Sequence, residues 1–97
     1  MSSAFQKTEK ILYIYPDLVG CENEFIHKLE LSLNKLKSDD SYDIIELKYF
    51  NKMSHERIAE ILDCDVKTVT RRKNKIIKRL SFMLFTDDAI RELFESD

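Results

Sequence analysis

Glycine and proline are almost absent from this chain. Its 97 residues include one Gly, one Pro and no Trp. Tight β-hairpins depend on Gly, Asn-Gly or Pro at defined turn positions, so the composition argues against a sheet built from hairpins. Helices must then carry the fold. We predict an all-α chain, a small helical bundle that forms one compact domain.

Catalytic and metal-ligating patterns are also missing. Cys21 and Cys64 form no Cys-x-x-Cys pair, and His27 and His55 stand at no metal-ligand spacing from them. No Ser, His and Asp set and no glycine-rich phosphate loop can be assembled. We therefore predict a protein that is not an enzyme and that needs no metal and no cofactor.

The sequence shows neither a charged-then-apolar leader nor an apolar run of about 20 residues. We expect no export and no membrane partner. The predicted location is the cytoplasm.

One segment breaks the even mixing of charges. The stretch VKTVTRRKNKIIKRL, residues 66–80, has no acidic residue in a chain whose net charge is −2. Its seven basic residues are Lys67, Arg71, Arg72, Lys73, Lys75, Lys78 and Arg79. A solvated helix face usually interleaves Glu with Lys four residues apart. The pattern therefore favours a face that meets a polyanion over a face that only meets water.

The N-terminal part predicts two helices. Phe5, Thr8, Leu12 and Tyr15 recur at helical spacing until Pro16, whose ring disfavours a helical conformation of the preceding residue.

Asp17 is the predicted cap of the second helix, and Gly20 would delay its regular part to about Cys21 or Glu22. The apolar seam of this helix is Ile26, Leu29, Leu33 and Leu36. The seam could pack within the chain or pair with a second copy in a homodimer.

The middle of the chain begins with a linker, KSDDS at residues 37–41. A third helix, YDIIELKYF, is apolar on most sides and must lie inside the bundle. Asn51 is predicted to end it in the left-handed conformation. Ser54 is then predicted to cap a fourth helix, HERIAEIL.

Residues 54–80 predict a helix-turn-helix. Its apolar residues are Ile58, Ala59, Ile61 and Leu62 before the break DCD, and Val66, Val69, Ile76 and Leu80 after it. Two helices joined by so short a turn cross steeply, and Ala59 is small enough for a close crossing. Asp63 is expected in the left-handed conformation that many such turns give to Gly, and Asp65 is expected to cap the last helix.

Helix geometry divides the polar residues into two groups. The residues predicted to reach base edges are Lys67, Thr70, Arg71 and Asn74. The residues predicted to contact phosphates are His55, Arg57, Thr68, Arg72, Lys75 and Lys78. Arg can make bidentate hydrogen bonds with guanine, and Asn can make them with adenine. Phosphate contacts supply affinity without sequence specificity.

The C-terminal end adds SFMLF and a short acidic helix capped by Thr86, with an apolar stripe at Ile90, Leu93 and Phe94. The predicted division of the chain is an N-terminal helical hairpin at 1–38, a helix-turn-helix part at 39–85 and an acidic helix or tail at 86–97.

The stretch IIELKYFNKMSHERIAEILDCDVKTVTRRKNKIIKRL resembles region 4 of bacterial sigma factors, over roughly residues 42–80. Lys52 and Asp63 stand where that family commonly has Gly, and Arg72 stands at a position that is usually apolar and faces the core. This resemblance implies that the bundle contacts RNA polymerase. A complete sigma factor is not expected, because the chain has little room beyond this module and lacks the aromatic and basic density that melted strands need.

Three further segments, KTEKILYIYPDL, the leucine-seamed second helix and IIKRLSFMLF, resemble phage and prophage late-gene regulators of the RinA and ArpU type. That resemblance implies a sequence-specific activator that binds double-stranded DNA and acts with the host RNA polymerase. The alternatives are a DNA-recognition component of phage packaging and a polymerase-binding protein that contacts no DNA.

Overall fold

The computed structural model describes residues 3–95, which fold into six α-helices and no strand. The helices are α1 (Ala4–Ile14), α2 (Glu24–Leu36), α3 (Tyr42–Ile45), α4 (His55–Leu62), α5 (Val66–Leu84) and α6 (Thr86–Glu95). A π-helical turn at Glu46–Phe50 extends α3. The prediction of an all-α helical fold is confirmed.

A side-chain cap at its start and a proline after its end determine the bounds of α1. Ser3 accepts the backbone N–H of Gln6 at 3.1 Å, and the Gln6 side chain accepts the backbone N–H of Ser3 in return. This reciprocal capping box fixes the start of α1. The helix ends at Ile14, because Pro16 converts the chain into a 3₁₀ turn at Tyr15–Asp17.

The start of α2 differs from the prediction. Asp17 lies in the 3₁₀ turn, and Gly20 has a φ of +92°, so no helix can run through it. The cap is Asn23, which accepts the backbone N–H groups of Phe25 and Ile26 at 2.8 and 3.3 Å. The prediction of Asp17 as the cap was therefore wrong, since the chain needs several more residues to turn back.

The core is built around α5. The larger buried cluster joins Leu12, Leu29, Leu33, Leu36, Tyr42, Ile45, Tyr49, Ile76, Ile77, Leu80 and Leu84. All four residues of the predicted seam on α2 are buried within the chain. Helices α1 and α2 both pack against α5, so residues on both sides of the predicted boundary at 38 share one core.

The end of the third helix also departs from the prediction. Asn51 has an ordinary φ of −95°, and the left-handed residue is Lys52, with a φ of +56°. The Lys52 ammonium donates to the carbonyl groups of Tyr13 and Tyr49 at 2.5 and 3.0 Å. These contacts favour a conformation that a residue with a Cβ adopts only at some cost. Lys52 is the position at which the sigma-factor resemblance expects Gly.

The acidic helix α6 is tied to the N-terminal helix. Asp88 forms an ion pair with Lys7 at 2.7 Å, and Glu92 accepts the backbone N–H of Ala4 at 2.9 Å. Thr86 is the first residue of α6, and its hydroxyl donates to the Phe82 carbonyl at 2.6 Å. The hydroxyl is thus directed back to α5, which differs from the predicted role of Thr86 as an acceptor cap.

Candidate nucleic-acid interface

The turn between α4 and α5 has the geometry expected from the sequence. Asp63 lies in the left-handed region, with φ +53° and ψ +52°. Its backbone N–H is directed to the carbonyl groups of Ala59 and Glu60, and the N–H of Cys64 donates to Ala59 at 3.0 Å. These bonds satisfy carbonyl groups that the end of α4 would otherwise leave without a donor.

Both helices of the pair carry side-chain caps. Ser54 accepts the backbone N–H of Arg57 at 3.2 Å, and Asp65 accepts that of Thr68 at 2.7 Å. The bonds from Thr68 lower the pKa of the Asp65 carboxyl. Both caps were predicted, and together they fix where α4 and α5 begin.

A small buried cluster holds the two helices together. It consists of Ile44 on α3, Ile58 and Ala59 on α4, and Val69 on α5. Ile61 and Val66, which the sequence pattern counted among its apolar residues, are 45% and 38% exposed. Ile77, which the pattern did not include, is fully buried.

These buried positions determine the rotation of α5. Val69, Ile76, Ile77 and Leu80 lie on the core side of the helix. Arg72 is exposed, although the resemblance places an apolar, inward-facing residue there. Lys73 is the basic residue that turns towards the body, with a side chain only 12% exposed.

The four predicted base-reading residues do not all face solvent equally. Lys67, Arg71 and Asn74 are exposed along one side of α5. Thr70 is half-buried, and its hydroxyl lies 3.3 Å from Nδ1 of His55. The Thr70 hydroxyl is therefore engaged inside the helix pair.

His55, which was predicted to contact a phosphate, is half-buried in the structure. Its Nε2 atom is buried and has no hydrogen-bond partner within residues 3–95. Burial lowers the pKa of the imidazole, and the positive charges of Lys48 and Lys73 lower it further. Both effects favour the neutral imidazole, and Nε2 would have to leave its buried position to contact a phosphate.

The other predicted phosphate contacts lie at or near the surface. Arg57 is exposed and forms an ion pair with Glu60 at 3.2 Å, which a phosphate would have to replace. Thr68 is half-buried near the start of α5, while Lys75 and Lys78 are exposed.

Two of the seven basic residues of 66–80 form ion pairs with acidic residues of other segments. Lys73 lies 3.4 Å from Glu9 of α1 and 5.4 Å from the Phe5 ring centroid. Arg79 pairs with Asp39 in the loop before α3. The remaining five, Lys67, Arg71, Arg72, Lys75 and Lys78, form no ion pair among the described residues. The uncompensated charge is smaller than the sequence suggested, and it is concentrated on the exposed side of α5.

No helix within residues 3–95 is long and apolar enough to span a membrane. In the same part of the chain, no group of three or more His, Cys, Asp or Glu residues is arranged to hold a metal ion.

Two packed helices joined by a short turn with a left-handed residue, and a cationic exposed face on the second helix, define a DNA-binding helix-turn-helix protein. Residues 26–80 match the family described as Sigma-70, region 4. Because the match covers more than half of the chain, the protein belongs to the sigma-70 region 4 family. Comparisons with curated proteins and with solved structures gave no match.

Proposed function

We propose that this protein is a sequence-specific regulator of transcription that inserts the N-terminal half of α5 into the major groove of double-stranded DNA. The observation that carries the proposal is the set of five cations on the exposed side of the second helix of a region 4 helix-turn-helix, which form no ion pair within residues 3–95. A helix with this much like charge gains most from a polyanion placed against it.

The contacts are divided according to position. Arg71 makes bidentate hydrogen bonds with a guanine, and Asn74 makes them with an adenine. Lys67 contacts the edge of a neighbouring base. The phosphate contacts are Arg57, Arg72, Lys75 and Lys78, with Thr68 near the helix start. Thr70 and His55 hold α5 against α4.

The proposed biological role is activation of phage or prophage late genes together with the host RNA polymerase. Membership in the region 4 family supports a role in transcription. The resemblance of the N-terminal segment, the second helix and IIKRLSFMLF to late-gene regulators supports the phage assignment.

The proposal is tested by selecting bound fragments from a pool of random DNA duplexes at low salt, followed by sizing of the complex. We expect an enriched sequence and a complex with one or two copies of the chain. A ring of many subunits would favour a role in packaging. A pool without enrichment would favour a polymerase-binding protein that does not read DNA. Transcription by the host polymerase from a template bearing the enriched sequence should then rise when the protein is added.

A further inference from the structure

The loop between α2 and α3 brings two carboxylates, Asp39 and Asp40, beside the basic face of α5. A cleft of about 550 Å³ lies between them. Its lining consists of Ser38, Asp39, Asp40 and Ser41 from the loop and Arg71, Arg72 and Lys75 from α5. Three of the five α5 cations that form no ion pair in the described part of the chain therefore share this cleft with acidic residues.

The two carboxylates differ in what already binds them. Asp39 pairs with Arg79 and accepts the backbone N–H of Ser41 at 2.8 Å, so its charge holds the loop in place. Asp40 is exposed and forms no ion pair within residues 3–95. A carboxylate outside any ion pair of the described residues thus lines a cleft whose cations attract anions.

A DNA phosphate that approaches Arg72 or Lys75 from this side must come close to Asp40. Charges within about 10 Å of one another are not fully screened at 0.1 M salt, so the carboxylate repels the phosphate that the cations attract. We infer that Asp40 is a negative determinant of phosphate affinity, which keeps the binding of arbitrary DNA weak. The inference rests on the proposed function, since it concerns the same face of α5.

Phosphate contacts carry no sequence information. Removal of the Asp40 charge should therefore strengthen binding to selected and random duplexes by the same factor, and the ratio of the two affinities should stay constant. A residue that reads bases would change that ratio.

The test compares the variant Asp40→Asn with the parent in equilibrium binding to a random-sequence duplex. We expect binding about 3- to 10-fold tighter at low salt, with the difference shrinking as salt rises. The matched control is Asp43→Asn, which removes an exposed carboxylate of α3 outside the cleft. A gain for Asp40→Asn no larger than that of the control would overturn the inference.

A double variant of α5 tests which cations bind the phosphate that Asp40 repels. In a chain that already carries Arg72→Ala and Lys75→Ala, the substitution Asp40→Asn should have no more effect than the control. If the full gain persists there, Asp40 does not act through the phosphate contacts of Arg72 and Lys75.

A DNA-independent measurement separates this inference from the proposed function. Titration with inorganic pyrophosphate, followed through the Arg72 Nε–H resonance, should show tighter binding to Asp40→Asn than to the parent. If this gain is found and no variant binds duplex DNA, the proposed function fails and the electrostatic role of Asp40 stands. If DNA binds but neither ligand gains affinity from Asp40→Asn, the inference fails and the proposed function stands.

Discussion

The hydroxyl of Thr70 on α5 lies 3.3 Å from Nδ1 of His55 on α4. This contact joins the first turn of α4 to a residue of α5 that lies between Lys67 and Arg71, which are both proposed to contact bases. The second ring nitrogen of His55 is buried and unpaired among the described residues. The imidazole therefore has a structural position within the helix pair, and its protonation state bears on the stability of that pair.

The stability of the protein should fall with acidification through His55. Burial, reinforced by Lys48 and Lys73, lowers the pKa of this imidazole in the folded chain. As pH falls through about 6.5, the unfolded chain takes up the proton first, so the free energy of unfolding decreases. Urea denaturation at several pH values should show a steeper acid loss for the parent than for His55→Asn. The variant His27→Asn, altered at an exposed position of α2, should keep the parent slope, and equal slopes in all three chains would contradict the assignment.

Arg71 and Lys78 should differ in the kind of binding that they support. Arg71→Ala should cost about 1–3 kcal/mol on the selected duplex and relax preference at one base pair. Lys78→Ala should weaken binding to all duplexes alike and reduce the slope of log affinity against log salt by about one. Binding assays over a salt series measure both effects. An equal loss on all DNA from both changes would contradict the role proposed for Arg71.

The control for these substitutions is Arg91→Ala on α6. Arg91 is largely exposed, and its ion pair within residues 3–95 is with Asp88, three residues earlier. Surface pairs of this kind contribute little to stability. The variant should bind DNA like the parent.

Val69 and Val66 offer a matched pair for the packing of the helix-turn-helix. Val69 of α5 is fully buried in the cluster that it forms with residues of α3 and α4, whereas Val66 is 38% exposed. Val69→Ala should lower the free energy of unfolding by about 2 kcal/mol, because it leaves a cavity between helices. Val66→Ala should lower it by less than about 1 kcal/mol. Chemical denaturation measures both free energies of unfolding. Equal decreases for the two variants would mean that α5 is rotated differently about its axis.

Glu9 is expected to matter for stability and not for DNA binding. Its carboxylate accepts the Tyr49 hydroxyl at 2.5 Å and pairs with the nearly buried ammonium of Lys73. Burial, together with this hydrogen bond to Glu9, raises the pKa of the Tyr49 hydroxyl well above its ordinary value. Glu9→Gln should lower the free energy of unfolding by about 1–3 kcal/mol, since a buried cation loses its partner.

The comparison for Glu9 is Glu22→Gln, which changes an exposed residue before α2. This control should leave the denaturation midpoint unchanged, and both variants should keep the parent affinity for DNA. A large gain in DNA affinity from Glu9→Gln would show that Lys73 can turn towards the duplex.

The sequence by itself determined the features that depend on neighbours along the chain. The stop at Pro16, the caps at Ser54 and Asp65, the left-handed Asp63 and the buried seam of α2 follow from local hydrogen bonding and from helical period. The family match over residues 26–80 reflects the same local pattern.

Only the tertiary structure decided which way each side of α5 faces. Lys73 turns inward because Glu9 and Phe5 of α1 lie beside it, and Arg72 turns outward beside Asp39 and Asp40. A charge count along one helix cannot reveal such partners, because they come from segments far away in sequence. The burial of the His55 Nε2 atom has the same origin, since it depends on how closely α4 and α5 approach each other.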